Sequence, residues 1–346
     1  MCYRILLALG GQMPHSFLNG FHNAYNVWYK TTFWGISAVL YCLLGLYGSM
    51  HSPGPFSHSV ILKVRKGETV PVISQHLYDL GLIRSKFLFS VYLRYTQKDR
   101  ALKKGQYVFE PYMSEAYIAD AIYKGFGIYY RIFIPEGYTN LRIAENIQKY
   151  SFLEKDKFRL PPEGMLYPDT YKIEGGTTYS SFISLMQNNM EKNLKEAWQK
   201  RVPNLYFKTP EDVLIVASII EKETNIPHEK HLIAGVIMNR LKRGIKLQMD
   251  PTTIYGITKT GVLGRPLKLS DLKRKNAFNT YYISGLPPTP ICNPGKSSLE
   301  AAVNPVWTSH LFYVATGRGG HAFAETHEHH LRNIEAFRSV LNSGKK

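Results

Sequence analysis

The run Phe33 to Met50, FWGISAVLYCLLGLYGSM, is eighteen residues without a charge. At ~1.5 Å per residue a helix of that length reaches about 27 Å, enough to cross the hydrocarbon core of a bilayer. No other stretch constrains the chain as much, because a helix that is apolar all round must be covered by protein or by lipid. Tyr29 and Lys30 precede it, Tyr47 lies near its far end, and HSPGPFSHS (His51 to Ser59) reads as a linker. A cleaved signal peptide fits less well, since about thirty residues come first and no A-x-A site follows. The expected order is an N-terminal extension over 1–32, a transmembrane helix over 33–50, a linker over 51–59, and then the folded remainder. Flanking charge does not assign the orientation: Lys30 stands before the span, and Lys63, Arg65 and Lys66 stand after it.

Lys and Arg outnumber Asp and Glu by 43 to 26, a formal charge of +17. That excess favours an anionic partner such as a nucleic acid, a lipid surface or a carboxylate-bearing polymer, without choosing among them. Of the three cysteines, Cys2, Cys42 and Cys292, only the last falls beyond the span, which excludes an internal disulfide there.

From Ile61 to about Leu153 the chain echoes itself. VRKGETVPVISQHL and IPEGYTNLRIAENI share a strand-like lead, a Gly-x-Thr step and apolar residues four apart, Ile73 and Leu77 against Ile143 and Ile147. Between them, KKGQYVFEPYMSEAYIADAIYKG joins a strand to a helix that Ser114 can cap. These units resemble LysM glycan-binding modules, so 60–155 is expected to form a small LysM-like α+β subdomain. Over 156–346 long helices alternate with turn-rich loops, the expectation being a mixed α/β domain and an α+β chain overall. TPEDVLIVASIIEKET opens with Thr209 as N-cap, Pro210 at the first helical position and Asp212 at N3. SSLEAAVNP opens with Ser297 and Glu300 in capping-box spacing. GLPPTPICNPG, with four prolines and two glycines, is a stiff loop suited to the wall of a groove.

The helix after Thr209 carries apolar residues around nearly its whole circumference, so it should be buried, and it ends in Glu221, Lys222 and Glu223. A carboxyl held among apolar groups stays protonated closer to neutral pH, which suits a general acid for a glycosidic oxygen. Glu221 shares its row with the small Ala217, which leaves space beside it; Glu223 is the alternative acid. Asp169 in LYPDTY and Asp250 in QMDPTT are candidates for a second carboxylate, although a turn and a helix N-cap would explain them as well. The C-terminal GRGGHAFAETHEHH has no H-E-x-x-H or comparable metal spacing, and no phosphate loop, G-x-S-x-G or Cys-His arrangement occurs. Neither a cofactor nor a metal is expected.

GMLYPDTY, ASIIEKET, VIMNRLKRGIKLQMDPTTIYG, NTYYISGLPPTPICNPG, SLEAAVNP and GGHAFAETHEHH, in that order, resemble the MltG (YceG-like) endolytic murein transglycosylases. The resemblance runs from roughly Val60 to Arg338. It implies a single-pass protein of the bacterial inner membrane, with a cytoplasmic N-terminal extension and a periplasmic or extracytoplasmic catalytic domain. The implied activity is cleavage of nascent peptidoglycan strands between N-acetylmuramic acid and N-acetylglucosamine, leaving 1,6-anhydro ends. The first Glu of EKET then becomes the catalytic acid, Glu221. Tyr167, Asp169, Gln248, Asp250, Asn279 and Tyr281 become candidate substrate-binding residues. Peptidoglycan synthases are the candidate partners, and nucleic acid is unnecessary to explain the charge. A muramidase-type hydrolase using a second carboxylate, or a glycan-binding scaffold without turnover, are the competing readings. Where the family usually has Glu-His-Asn near its end, this chain reads Glu328-His329-His330.

Overall fold

The computed structural model describes residues 15–343, in two compact units that divide between Ile128 and Tyr129. The first unit opens with α1 (His15–His51), in which Trp28–His51 is long and apolar enough to cross a membrane. Hardly any of that stretch is covered by protein; Trp34, Leu40, Tyr41 and Leu44 all stand exposed. Of the expected N-terminal extension, residues 1–14 lie outside the described residues, and from His15 the chain runs as one helix into the span.

The stretch expected to act as a linker is packed. Met50 and Phe56 are buried in one cluster with Leu62, Ile73, Leu77, Phe89, Tyr107 and Ile122. Gly54 N donates to Tyr112 O (3.1 Å) and Tyr112 N to Phe56 O (3.0 Å). Phe56, set among the prolines and the glycine, and Met50, just before them at the end of α1, draw the segment into the core. Around it, β1 (Val60–Val64) pairs antiparallel with β2 (Gly105–Phe109), Leu62 facing Tyr107. The alternating burial of both strands turns one face onto α2 (Val70–Asp79), α3 (Lys86–Tyr95) and α4 (Glu115–Lys124). Ser114 caps α4 as expected, accepting from Tyr117 N at 3.2 Å.

In the second unit β3 (Tyr129–Phe133) pairs antiparallel with β4 (Thr170–Glu174), and α5 (Asn140–Ile147) starts at an N-cap Thr139. Ile132, Ile134, Ile143, Ile147 and Leu153 pack on Leu166, Tyr171 and Phe182. Residues 129–155, grouped by sequence with the preceding subdomain, therefore belong to this core. The echo holds locally, each copy leading into a helix with Thr69 or Thr139 at its N-cap, but the copies lie in different units. The chain continues through α6 (Tyr179–Gln199), α7 (Pro210–Glu223), α8 (Pro227–Lys242), α9 (Asp250–Thr258) and the short α10 (Leu269–Leu272). It ends with α11 (Lys296–Val303), the hairpin β5 (Phe312–Ala315) and β6 (His321–Ala324), and α12 (His327–Ser343).

The central helix is α7, buried from Val213 to Glu221 and packed by α6, α8, α9 and α11. Its start carries the expected capping box: Thr209 Oγ1 accepts from Asp212 N (3.1 Å), and the Asp212 carboxylate accepts from Thr209 N (3.2 Å). The other expected box does not form. Helix α11 begins earlier, at an N-cap Gly295, because the hydroxyls of Ser297 and Ser298 are engaged by buried charges of α7 and α8. The described strands form three two-stranded antiparallel pairs, so the fold is α+β.

Candidate active site

The last turn of α7 sends its two carboxylates in opposite directions, since positions two apart on a helix differ by about 200°. Glu221 points between α8 and α11. Its Oε2 accepts from Lys230 Nζ (3.2 Å), Gly295 N (3.1 Å) and Ser298 Oγ (2.6 Å), and Lys230 also donates to Ser297 Oγ at 2.8 Å. The side chains of Glu221 and Lys230 are only 5% and 4% exposed. The apolar surroundings expected for Glu221 are therefore not what it has: a cation and two further donors converge on one of its oxygens. Glu136 stands beside this cluster, so close to Gly295 that a Cβ there would fall 1.7 Å from Glu136 Oε1. Partial burial, with the charge of Glu221 adding to it, raises the Glu136 carboxyl above its ordinary range.

Glu223 faces a cleft of about 460 Å³, which it lines together with Arg240, Gln248, Asp250, Tyr281, Tyr313 and His321. Burial pushes its carboxyl up to about 7; Asp250 adds to the rise, while the Tyr313 hydroxyl and Arg240 oppose it. Glu223 Oε1 has no protein partner, although it is closed off from bulk solvent. A carboxyl kept largely neutral at the wall of a cleft is the arrangement a general acid needs.

Helix α9 places Asp250 opposite. It does not cap the helix, whose N-cap is Met249; instead it accepts from the Tyr281 hydroxyl at 2.7 Å. Burial and that hydrogen bond raise the Tyr281 phenol. Arg240 crosses the floor with its donors spent on carbonyls, Nε on Leu311 O (2.6 Å) and Nη1 on Leu247 O (2.8 Å) and Lys246 O (3.0 Å). On the hairpin, His321 Nδ1 lies 2.8 Å from Glu229 Oε2, and His321 N donates to Glu229 Oε1 at 2.7 Å. From α12, His327 and His330 also line the cleft. The His330 ring stacks on Phe312 at 5.1 Å, and burial, with Arg240 and His327 nearby, lowers its pKa.

Gln248, Asp250 and Tyr281 are thus brought to one cleft with Glu223. Three other candidates are elsewhere. Tyr167 is buried in the core around α7. Asp169 is exposed and accepts from Thr170 N at 2.6 Å. Asn279, 1% exposed, accepts from Thr253 Oγ1 (3.0 Å) and Tyr281 N (3.0 Å) and donates to Leu272 O (2.9 Å) and Arg274 O (2.8 Å), which fixes the loop carrying Tyr281. Sequence reasoning passed over Arg240, Tyr313, and the pairing of Glu229 with His321. The histidine lay in the conspicuous GGHAF stretch, but nothing local linked it to a glutamate 92 positions earlier. Among the described residues no three His, Cys, Asp or Glu side chains are grouped as a metal would require.

A cleft with one protonatable carboxyl, a second carboxylate and a carboxylate-backed histidine belongs to the class of acid–base sites. The chain belongs to the YceG-like family, which it matches over residues 62–336. It is similar to the endolytic murein transglycosylase of Streptococcus pneumoniae strain D39, 28% identical over 333 residues that cover 82% of this chain and 59% of the relative. It is also similar to the protein of that name from Bacillus subtilis strain 168, 27% identical over 321 residues covering 82% of this chain and 86% of the relative. The chain thus spans 59% of the length of the pneumococcal relative. A 2.6 Å crystal structure of a YceG-like protein from Listeria monocytogenes matches 80% of this chain and 99% of its own, with 28% identity and a TM-score of 0.48.

Proposed function

We propose that the chain is an endolytic murein transglycosylase, a lyase that cuts the β-1,4 bond between N-acetylmuramic acid and N-acetylglucosamine in nascent glycan strands. The observation that carries this reading is Glu223, an acid that lines the cleft and whose carboxyl burial pushes up to about 7. Near neutral pH it holds a proton to give to the departing glycosidic oxygen. The muramyl 6-hydroxyl attacks its own anomeric carbon, closing a 1,6-anhydro ring, so neither water nor a second carboxylate is obligatory. On this reading Glu221, expected from the EKET motif to be the acid, is a buried tie between α7, α8 and α11, a role its three donors support.

The names of the relatives support the substrate class, and the formal charge of +17 suits a polymer that bears stem-peptide carboxylates. The apolar stretch Trp28–His51 supports a single membrane pass, and a murein substrate would put the second unit on the extracytoplasmic side. The first unit is a LysM-like glycan-binding module, and peptidoglycan synthases are the natural partners of an enzyme acting on new strands.

A hydrolytic reading rests on Asp250, which shares the cleft and could activate water. Mass spectrometry of glycan strands digested by the full chain separates the two. Anhydro-muramyl ends are expected from the wild type and from Glu221→Gln, with a loss of about 10²-fold or more for Glu223→Gln. Reducing ends would favour Asp250 and water, and strand binding without cleavage would leave only a scaffold.

A further inference from the structure

We infer that His321, held by Glu229, is the base that takes the muramyl 6-hydroxyl proton while Glu223 protonates the leaving oxygen. This rests on the transglycosylase reading and assigns its second proton transfer.

Glu229 is 4% exposed and receives three donors: His321 N on Oε1 (2.7 Å), and His321 Nδ1 (2.8 Å) and Thr224 Oγ1 (2.9 Å) on Oε2. Burial alone would raise this carboxyl, but those donors outweigh it and hold it below its ordinary range. An ionised carboxylate only accepts, so the proton between the two residues sits on Nδ1. In the neutral ring Nε2 is then a lone-pair acceptor. It has no protein partner among the described residues, and His321 lines the same cleft as Glu223. The Tyr313 ring meets the imidazole edge-on at 5.4 Å, and its hydroxyl lies beside Glu223, so one phenol is flanked by the acid and the base. Gly320 permits the close approach, since at φ +79° a Cβ would stand 2.6 Å from Glu229 Oε1.

Carboxylate, imidazole and substrate hydroxyl in line form the arrangement that activates a hydroxyl nucleophile elsewhere: the carboxylate fixes the tautomer and steadies the imidazolium. The proton of O6 passes to Nε2 as the O6–C1 bond forms. The C1–O4 bond breaks, and O4 takes the proton of Glu223. Glu223 is left as carboxylate and His321 as imidazolium, and exchange of one proton through solvent restores both. Nothing is oxidised or reduced. His321 acts on the substrate, and Glu229 is a positioning residue.

The test uses the full chain and peptide-bearing glycan strands. His321→Ala should lower kcat by about 10²-fold or more with KM within about twofold, and added imidazole should restore at least tenfold of the loss. His321→Gln, which fills the space, should be equally slow and unresponsive to imidazole. Glu229→Gln should lower kcat with KM unchanged. Nitrogen NMR of the wild-type ring should find the proton on Nδ1. A proton on Nε2, or His321→Ala turning over at the wild-type rate while Glu223→Gln is dead, overturns the inference and spares the transglycosylase reading. A wild type that yields no anhydro ends overturns both.

Discussion

Glu221 and Glu223 sit in one turn of α7, yet their neighbours give them opposite chemistry. Glu223 is ionised more readily in the unfolded chain, near 4.5, than in the native one, near 7. Between those values the native state binds more protons, so its stability falls as pH rises. Glu223→Gln should therefore match the wild type in Tm below about pH 4.5, gain steadily above it, and be more stable by roughly 3 kcal/mol at pH 8. The catalytic limb runs the same way: kcat/KM should decline as pH rises through about 7, where the acid loses its proton. Lys230 presents the other case. Lys230→Met leaves the Glu221 charge buried against Gly295 and Ser298 without its cation, and denaturant titration should show a loss of about 3 kcal/mol.

Helix α7 shows how far local pattern reaches. Its capping box and its burial were legible, because both depend on residues within one or two turns of each other. Thr209→Ala should cost about 1 kcal/mol in thermal unfolding, as removal of an N-cap does. Which of its two carboxylates faces a cleft was not legible. That choice depends on Lys230, Ser298 and Tyr313, up to 90 positions away, which reach the helix only through packing. The same dependence moved the start of α11: Ser297 and Glu300 have ideal spacing for a capping box, but the Ser297 and Ser298 hydroxyls have stronger, charged partners. Motif resemblance singled out Gln248, Asp250 and Tyr281, and all three line the cleft. It also drew in Asn279, whose buried amide holds the loop that carries Tyr281.

For the whole chain, the long apolar N-terminal helix was apparent from sequence, while the boundary between the two units was not. The strand and helix of residues 129–147 repeat the pattern of the first unit but bury their isoleucines against Tyr171 and Phe182. Periodicity says that a face is apolar and leaves open what covers it. The first unit also recruits the end of the span, with Met50 fully buried at the base of α1. Met50→Ala should destabilise that unit by about 2–4 kcal/mol. Hydrogen exchange should then quicken at the amides of β1 and β2 while those of α7 are unchanged.

That burial sets how an anchored molecule behaves. With Met50 and Phe56 both sunk in the first unit's core, the anchor continues into the folded body as a stalk, leaving no leash for that body to wander on. Were a bilayer to hold α1, the first unit would ride at a set height above the lipid, and a tilt of the helix would become a tilt of that unit.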